Sequence, residues 1–224
     1  MKRMGIGRVA AACALAGALA AGAAAQTGSG VIRNHFDSDA PLRAPAFFDF
    51  AVLLAPGRAD WMVTSDMNPP SAPNDVSQTI QDRPAGSIAV ALRRNVSLRD
   101  GRLSIALKKM AGRAGMVFRM ADEKDFLTLI VDLGNGDARL VSYRDGKPTE
   151  LGSGRVGFVT PWGVLGVELH EAEVRVLWGG KPLFSASDPA PAAGRVGMAT
   201  SGAGAVTFDE FLIEPSEQAQ ATSR

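Results

Sequence analysis

Large apolar residues alternate with small or polar ones along much of the chain. In Leu103-Ser104-Ile105-Ala106-Leu107 the odd positions are the large ones, and Ile88, Val90 and Leu92 repeat the pattern. Leu165, Val167 and Leu169 follow it again, as do Val174, Val176 and Trp178. Successive side chains of a strand point to opposite faces, so each run predicts one face against a core and the other toward solvent or a second layer. Arg99-Asp100-Gly101, Gly134-Asn135-Gly136-Asp137, Asp145-Gly146-Lys147 and Gly179-Gly180-Lys181 separate the runs. These residues tolerate positive φ, as tight hairpins require. Glu123 to Leu133 is apolar nearly throughout, and its Thr128, Ile130 and Val131 predict a strand buried on both faces rather than a helix. Pro69-Pro70-Ser71-Ala72-Pro73 predicts a long loop. No amphipathic helix emerges, and the regular spacing of strands and turns argues for an all-β antiparallel sandwich.

The two ends read differently. Lys2, Arg3 and Arg8, an apolar run from Val9 to Ala21, and Ala23-Ala24-Ala25 before Gln26 form the pattern of a secretory signal peptide over residues 1–25. The expected location is the periplasm or the cell exterior. Cys13, the one cysteine, offers a competing lipoprotein anchor, but Val9 to Ala12 ahead of it form a short stretch with only Ala10 three positions upstream. Residues 26–30 read as a small polar linker and 31–214 as the folded domain. Residues 215–224 (PSEQAQATSR) have no apolar face and read as a disordered tail. The full chain has 24 Lys and Arg against 23 Asp and Glu, and loss of the leader's three cations takes the net charge from +1 to −2. A strongly basic nucleic-acid binder is therefore excluded. Without Cys13 there is no disulfide or thiolate metal site, and the alternating pattern contains no membrane-spanning run.

An ordered series of motifs runs through the domain. It opens with His35-Phe36-Asp37, then Asp60-Trp61-Met62-Val63 and Pro73-Asn74-Asp75-Val76-Ser77-Gln78. Ser97-Leu98-Arg99-Asp100-Gly101-Arg102-Leu103-Ser104 and Ala114-Gly115-Met116-Val117-Phe118-Arg119 come next, followed by Ala121-Asp122. Trp162 with Leu165-Gly166-Val167-Glu168, then Gly194-Arg195-Val196-Gly197-Met198 and Phe208-Asp209-Glu210-Phe211, complete it. In this order the pieces resemble a bacterial family of the concanavalin A-like lectin/glucanase superfamily, near the 3-keto-disaccharide hydrolase (family 16 glycoside hydrolase-like) domain. The resemblance spans nearly all of Val31 to Glu214. It implies a jelly-roll β-sandwich of two antiparallel sheets, with any saccharide held on the concave one. The chain departs from the family at Lys124-Asp125-Phe126-Leu127, where members often carry Asn-Tyr-Tyr.

Retaining glycosidases on this superfold resemble one another in an E-x-D-x-x-E or E-x-D-x-E strand, because hydrolysis needs two carboxyls roughly 5 Å apart. No such string occurs here. The nearest cluster, Glu168-Leu169-His170-Glu171-Ala172-Glu173, mixes parities where a hairpin turns and reads as a solvated turn. Glu168 and His170 are the acid–base candidates all the same. The chain has no G-x-S-x-G elbow, and its two histidines, His35 and His170, lie far apart in sequence. Asp122, Asp125 and Asp132 around Glu123 supply oxygens for calcium, yet match no EF-hand spacing and read equally as solvated surface. No glycine-rich phosphate loop opens a helix, so no nucleotide cofactor is expected.

Parity supplies the binding candidates. With Met116, Phe118 and Met120 facing the core, Val117 and Arg119 face the other way, as Glu168 and His170 oppose Leu165, Val167 and Leu169. Arg139 and Tyr143 share a strand face. A cleft carrying Arg119, Tyr143, Glu168 and His170 suits a polar ligand such as a saccharide, with Trp61, Trp162 or Trp178 available to stack. The competing readings are a buried ion pair of Arg119 with Asp132 or Glu168, and tryptophans used in the core or at its rim. The leading expectation is an exported, non-catalytic module for carbohydrate or envelope glycan. Its alternatives are a glycoside hydrolase of the 3-keto-disaccharide type and a structural or protein-interaction sandwich. These part on whether residues 66–86 cover the concave face.

Overall fold

The computed structural model describes residues 30–216 except 81, 159 and 203. The expected leader, most of the linker and most of the tail lie outside the described residues. Among those described there are fifteen strands and no helix. In chain order they are β1 (Ile32–Asn34), β2 (Phe48–Leu53), β3 (Trp61–Thr64), β4 (Asp75–Gln78) and β5 (Ile88–Arg93). Then come β6 (Gly101–Lys108), β7 (Arg113–Met120), β8 (Phe126–Asp132), β9 (Asp137–Arg144) and β10 (Lys147–Arg155). The last five are β11 (Trp162–His170), β12 (Glu173–Trp178), β13 (Lys181–Ser187), β14 (Arg195–Ser201) and β15 (Val206–Pro215). The back sheet runs β13-β12-β11-β6-β15-β4-β3, with β1 also on β15, and the front sheet runs β10-β9-β8-β7-β14-β5-β2. Every ladder is antiparallel.

The alternating runs of β6, β11 and β12 become inner faces, whereas that of β5 (Ile88, Val90, Leu92) lies on the opposite face of its sheet. Leu103, Ile105 and Leu107 of β6, with Leu165, Val167 and Leu169 of β11, meet Met116 and Phe118 of β7 and Leu127, Leu129 and Val131 of β8 in one core. Packing the two inner faces removes these side chains from water, the dominant favourable contribution to such a fold. The front sheet is also apolar on its other face. Ile88, Val90, Leu92, Val117, Met120 and Phe126 form a second cluster there, all 5% exposed or less. That face is concave, and side chains on it converge. Gly115 of β7 and Gly197 of β14 relieve the crowding, since a Cβ at either would stand 1.9 Å from Leu129 O or 2.1 Å from Ala91 O.

One expectation of parity fails at a bulge. Phe118 and Arg119 of β7 together face the single residue Val196 of β14, because Arg195 pairs with Met120 and Gly197 with Val117. Arg119 adopts φ +50°, so alternation restarts after it and Met120 joins Val117 on the concave face rather than Phe118 in the main core. Arg119 therefore does not reach the concave face. Its side chain is 1% exposed and donates from Nη1 to Asp188 Oδ2 at 2.9 Å and from Nη2 to the Arg99 carbonyl at 3.1 Å. A further bond to the Glu171 carbonyl joins the β11–β12 turn to the group. Arg144 Nη2 donates to the second Asp188 oxygen at 3.0 Å. The clamp thus ties β7 to the β5–β6 and β13–β14 connections between the sheets and to the β11–β12 turn of the back sheet. A buried ion pair was one sequence reading of Arg119, but its partner is Asp188 and not Asp132 or Glu168.

The proline-rich loop fastens to the back sheet. Ser71 donates its backbone N–H to Asp209 Oδ2 at 2.8 Å, and Asn74 Nδ2 donates to the carbonyls of Phe36, Asp37 and Asp39. Farther along, Arg83 bonds Thr200 Oγ1 and the Gly202 carbonyl. Asp209 is fully buried. Burial pushes its carboxyl up to about 6, even though the N–H groups of Ser71 and Glu210 and the Ser71 hydroxyl favour the charged form. At the C-terminal side β15 runs to Pro215, and the Ser216 N–H donates to Asp100 O at 3.1 Å.

Two outcomes follow for stability. Asp188→Asn leaves the buried Arg119 guanidinium with only the more distant Asp100 carboxylate, 3.7 Å away, and is expected to destabilise the fold by about 3–5 kcal/mol, a fall in Tm of roughly 10 °C. Arg175→Ala, which removes the exposed partner of Glu168 and Glu173, should cost under about 1 kcal/mol. Equal losses from the two variants contradict the clamp. Asp209 binds its proton more tightly folded than unfolded, so its contribution is full below about pH 4 and fades as pH rises to about 6. Asp209→Asn should flatten the stability profile over that window, measured as chemical unfolding at pH 4, 5, 6 and 7.

Candidate functional site

The concave face of the front sheet is half closed and half open. Its two edges, β2 and the β9–β10 turn, bend across it until Gly146 lies against the end of β2, where a Cβ on Gly146 would stand 3.9 Å from Leu54 Cδ2. Leu54 follows the residue that pairs with Ile88, whereas Gly146 lies beside Lys124, near the start of β8, to whose carbonyl it donates. The contact is therefore diagonal, and it leaves open the part of the face nearest the β8–β9 turn.

That open part is a groove of about 280 Å³. Its floor is Thr128 and Ile130 of β8 with Val141 of β9, and Ile88 and Ser201 close one side. Charged walls rise at the mouth: Arg113 and Asp132 on one flank, Asp137 and Arg139 on the other. At the end away from Asp132 stands Tyr143, whose ring stacks on Phe126 with centroids 4.6 Å apart and planes 19° from parallel. Burial pushes the Tyr143 phenol above its ordinary range, keeping the hydroxyl protonated as donor and acceptor.

Asp132 organises the mouth. Its Oδ1 accepts the N–H groups of Gly134 and Asn135, closing the β8–β9 turn, and its Oδ2 accepts Arg113 Nε at 3.3 Å. Burial alone would raise this carboxyl; the Arg113 guanidinium and the two N–H groups outweigh it and hold Asp132 below the usual carboxylate range. It is a fixed anion that accepts hydrogen bonds. Arg139 is mostly exposed and lies 3.7 Å from Glu150 on β10. A second hollow, of about 330 Å³ and lined by Gly112, Arg113, Asp132 and Ser201, continues the groove beyond the Arg113–Asp132 pair.

The structure brings together some of the residues singled out by sequence and separates others. Arg139 and Tyr143 share the groove, as their common parity predicts. Glu168 and His170 are on the outer face of the back sheet, where Glu168 pairs with Arg175 at 3.4 Å. The whole sandwich lies between them and Tyr143. With Arg119 buried as well, the four residues expected in one cleft do not meet. Trp61 is 2% exposed, packed against Phe208 at 5.5 Å, so its ring has no face free for a sugar. Trp178 donates to the Gly157 carbonyl and packs edge-on against Phe158, as the rim reading has it.

Of the calcium candidates, Asp122 Oδ1 accepts two turn N–H groups and Asp125 Oδ1 accepts the Asp145 N–H. Asp132 stands at the far end of β8 from both. His35 bonds Glu210, with β15 and β6 between it and the strand of His170. Among the described residues no three His, Cys, Asp or Glu side chains are grouped to hold a metal, and no helix is long and apolar enough to cross a membrane. Arg113, Thr128, Asn135, Asp137 and Ser201 were not singled out as binding residues. The available signal was parity along β8, which places Thr128, Ile130 and Asp132 beside Arg139 and Tyr143 across the ladder.

No protein-family model matches the sequence, and no curated protein matches it. Solved structures do match. The β-glucanase of Bacillus licheniformis superposes with a TM-score of 0.56 at 9% identity, over 85% of this chain and 100% of that one. A Bacillus subtilis protein of unknown function with a galectin-like fold gives 0.55 at 12%, over 82% and 94%. The carbohydrate-binding module CBM66 of Bacillus subtilis gives 0.50 at 14%, over 79% and 97%. Likeness at these identities establishes architecture, and the architecture is the concanavalin A-like jelly-roll β-sandwich.

Proposed function

We propose that the protein is an exported, non-catalytic saccharide-binding module whose site is the concave groove between Arg113 and Tyr143. The observation that carries this reading is the composition of the groove. An apolar floor of Ile130 and Val141 fits the C–H face of a sugar ring. Donors and acceptors at its rim (Arg113, Asp132, Asp137, Arg139 and the Tyr143 hydroxyl) fit the ring's hydroxyls. The proline-rich loop leaves this face open: none of the described residues 66–86 lines the groove. A carbohydrate-binding module and a β-glucanase among the solved structures of the same fold add to it as analogy. Export rests on the leader pattern of residues 1–25.

Catalysis finds less support. Glycoside hydrolysis needs one carboxyl kept protonated near neutrality, and Asp132 is held in the opposite sense. Glu168 and His170 lie on the far side of the sandwich from the groove.

The test is calorimetric titration of the chain from residue 26 with neutral and acidic oligosaccharides. A saccharide at 100 times its Kd should add about 2.7 kcal/mol of stability. Arg139→Ala and Tyr143→Ala are each expected to weaken binding about tenfold or more, a loss of ~1.4 kcal/mol, while Glu168→Ala and His170→Ala leave it unchanged. Affinity that follows Glu168 or His170 instead would place the site on the back sheet and end this reading.

A further inference from the structure

The groove carries charge of both signs in equal number. Its lining includes two guanidiniums, Arg113 and Arg139, and two carboxylates, Asp132 and Asp137. Each faces a charge of opposite sign. Arg113 Nε meets Asp132 Oδ2 at 3.3 Å, Arg139 Nη1 lies 3.7 Å from Glu150 Oε2, and Asp137 Oδ1 lies 4.0 Å from Arg155 Nη1. These pairs are solvent-exposed and individually weak; what they fix is the balance of charge. The second hollow repeats it, since its only charged lining is the Arg113–Asp132 pair. Among the described residues lining either hollow there is no lysine or histidine. An anionic ligand therefore meets no excess of positive charge to draw it in or to offset its desolvation.

The carboxylates sharpen the requirement. Each guanidinium has one for a neighbour: Arg113 bonds Asp132, and Arg139 stands two residues from Asp137 on the same face of β9. Asp132 stays ionised, held below the usual carboxylate range by Arg113 and the N–H groups of its turn. Asp137 is 44% exposed and free to accept from a ligand. A sugar hydroxyl donates and accepts at once, so it serves a carboxylate and the neighbouring guanidinium together. The ionised group of a uronate or a sulfated sugar only accepts. On either flank it would stand beside Asp132 or Asp137, where like charges repel. Resting on the saccharide reading above, we infer that the groove selects uncharged glycans over their anionic counterparts, with Asp132 and Asp137 setting the preference.

The experiment holds ring stereochemistry fixed and varies charge. Oligosaccharides of mixed-linkage β-glucan and of chitin are titrated by calorimetry in three forms: native, oxidised at C6 to the uronate, and that uronate methyl-esterified. The native and esterified forms should bind, with the uronate weaker by about tenfold or more. Affinity for the native form should hold constant between about 0.02 and 0.5 M NaCl, because no ion pair forms with the ligand. Asp137→Asn, which leaves the groove with one positive charge in excess, should narrow the gap between native and uronate several-fold. A uronate that binds as tightly as the native form, or a panel in which only acidic oligosaccharides bind, overturns the preference and leaves the saccharide site standing. Failure of the ester along with the uronate traces the loss to bulk at C6 and overturns it too. Binding of none of these forms, nor of any other oligosaccharide, removes the saccharide reading and this inference with it.

Discussion

The front sheet is apolar on both faces, and only one of them can be buried against the back sheet. The other must find cover from within the same sheet. It does so by curling: glycines at Gly115 and Gly197 permit backbones to close up where side chains would collide, and the β2 edge reaches the β9–β10 turn across the concavity. Val90, Leu92, Val117, Met120 and Phe126 then form a second small core on what is nominally an outer surface. The groove is the part of the concave face that the curl does not close. Its polar rim falls where β8 and β9 exchange direction and Asp132 caps the turn.

The Arg119 clamp holds the curled front sheet against the back sheet. A β-bulge places a guanidinium where parity would place nothing, and Asp188 neutralises it in the interior. Removing one member of such a buried pair strands the other charge, which makes the clamp a fixed point and not an adjustable contact. The opposite end is fastened differently, by Ser71 on Asp209 and Asn74 on the Phe36–Asp39 carbonyls. Both fasteners leave the concave face clear.

Much of the fold was legible in the sequence because it depends on a period of two. The inner faces of β6, β11 and β12 are the alternating runs, and β8 is the doubly buried strand that its β-branched residues predict. The site was legible only in part. Arg139 and Tyr143 share a face by simple alternation. Glu168 and His170 point outward as alternation says, but parity cannot tell which of two outer faces is concave. Arg119 was misplaced because one extra residue in a strand inverts everything after it, and no turn residue announces that bulge. Closure of the concave face by Leu54 and Gly146 joins residues some ninety positions apart and leaves no mark in either strand.

Which face carries the ligand is read most directly by methyl-labelled NMR of the chain from residue 26, titrated with the oligosaccharide that binds best. Ile88, Ile130 and Val141 should shift in a saturable way, with contacts from sugar protons to the Tyr143 ring, while Val164 on the back sheet stays unmoved. Shifts confined to the back sheet, or sugar contacts that bypass Tyr143, would contradict a site built in the unclosed part of the front sheet.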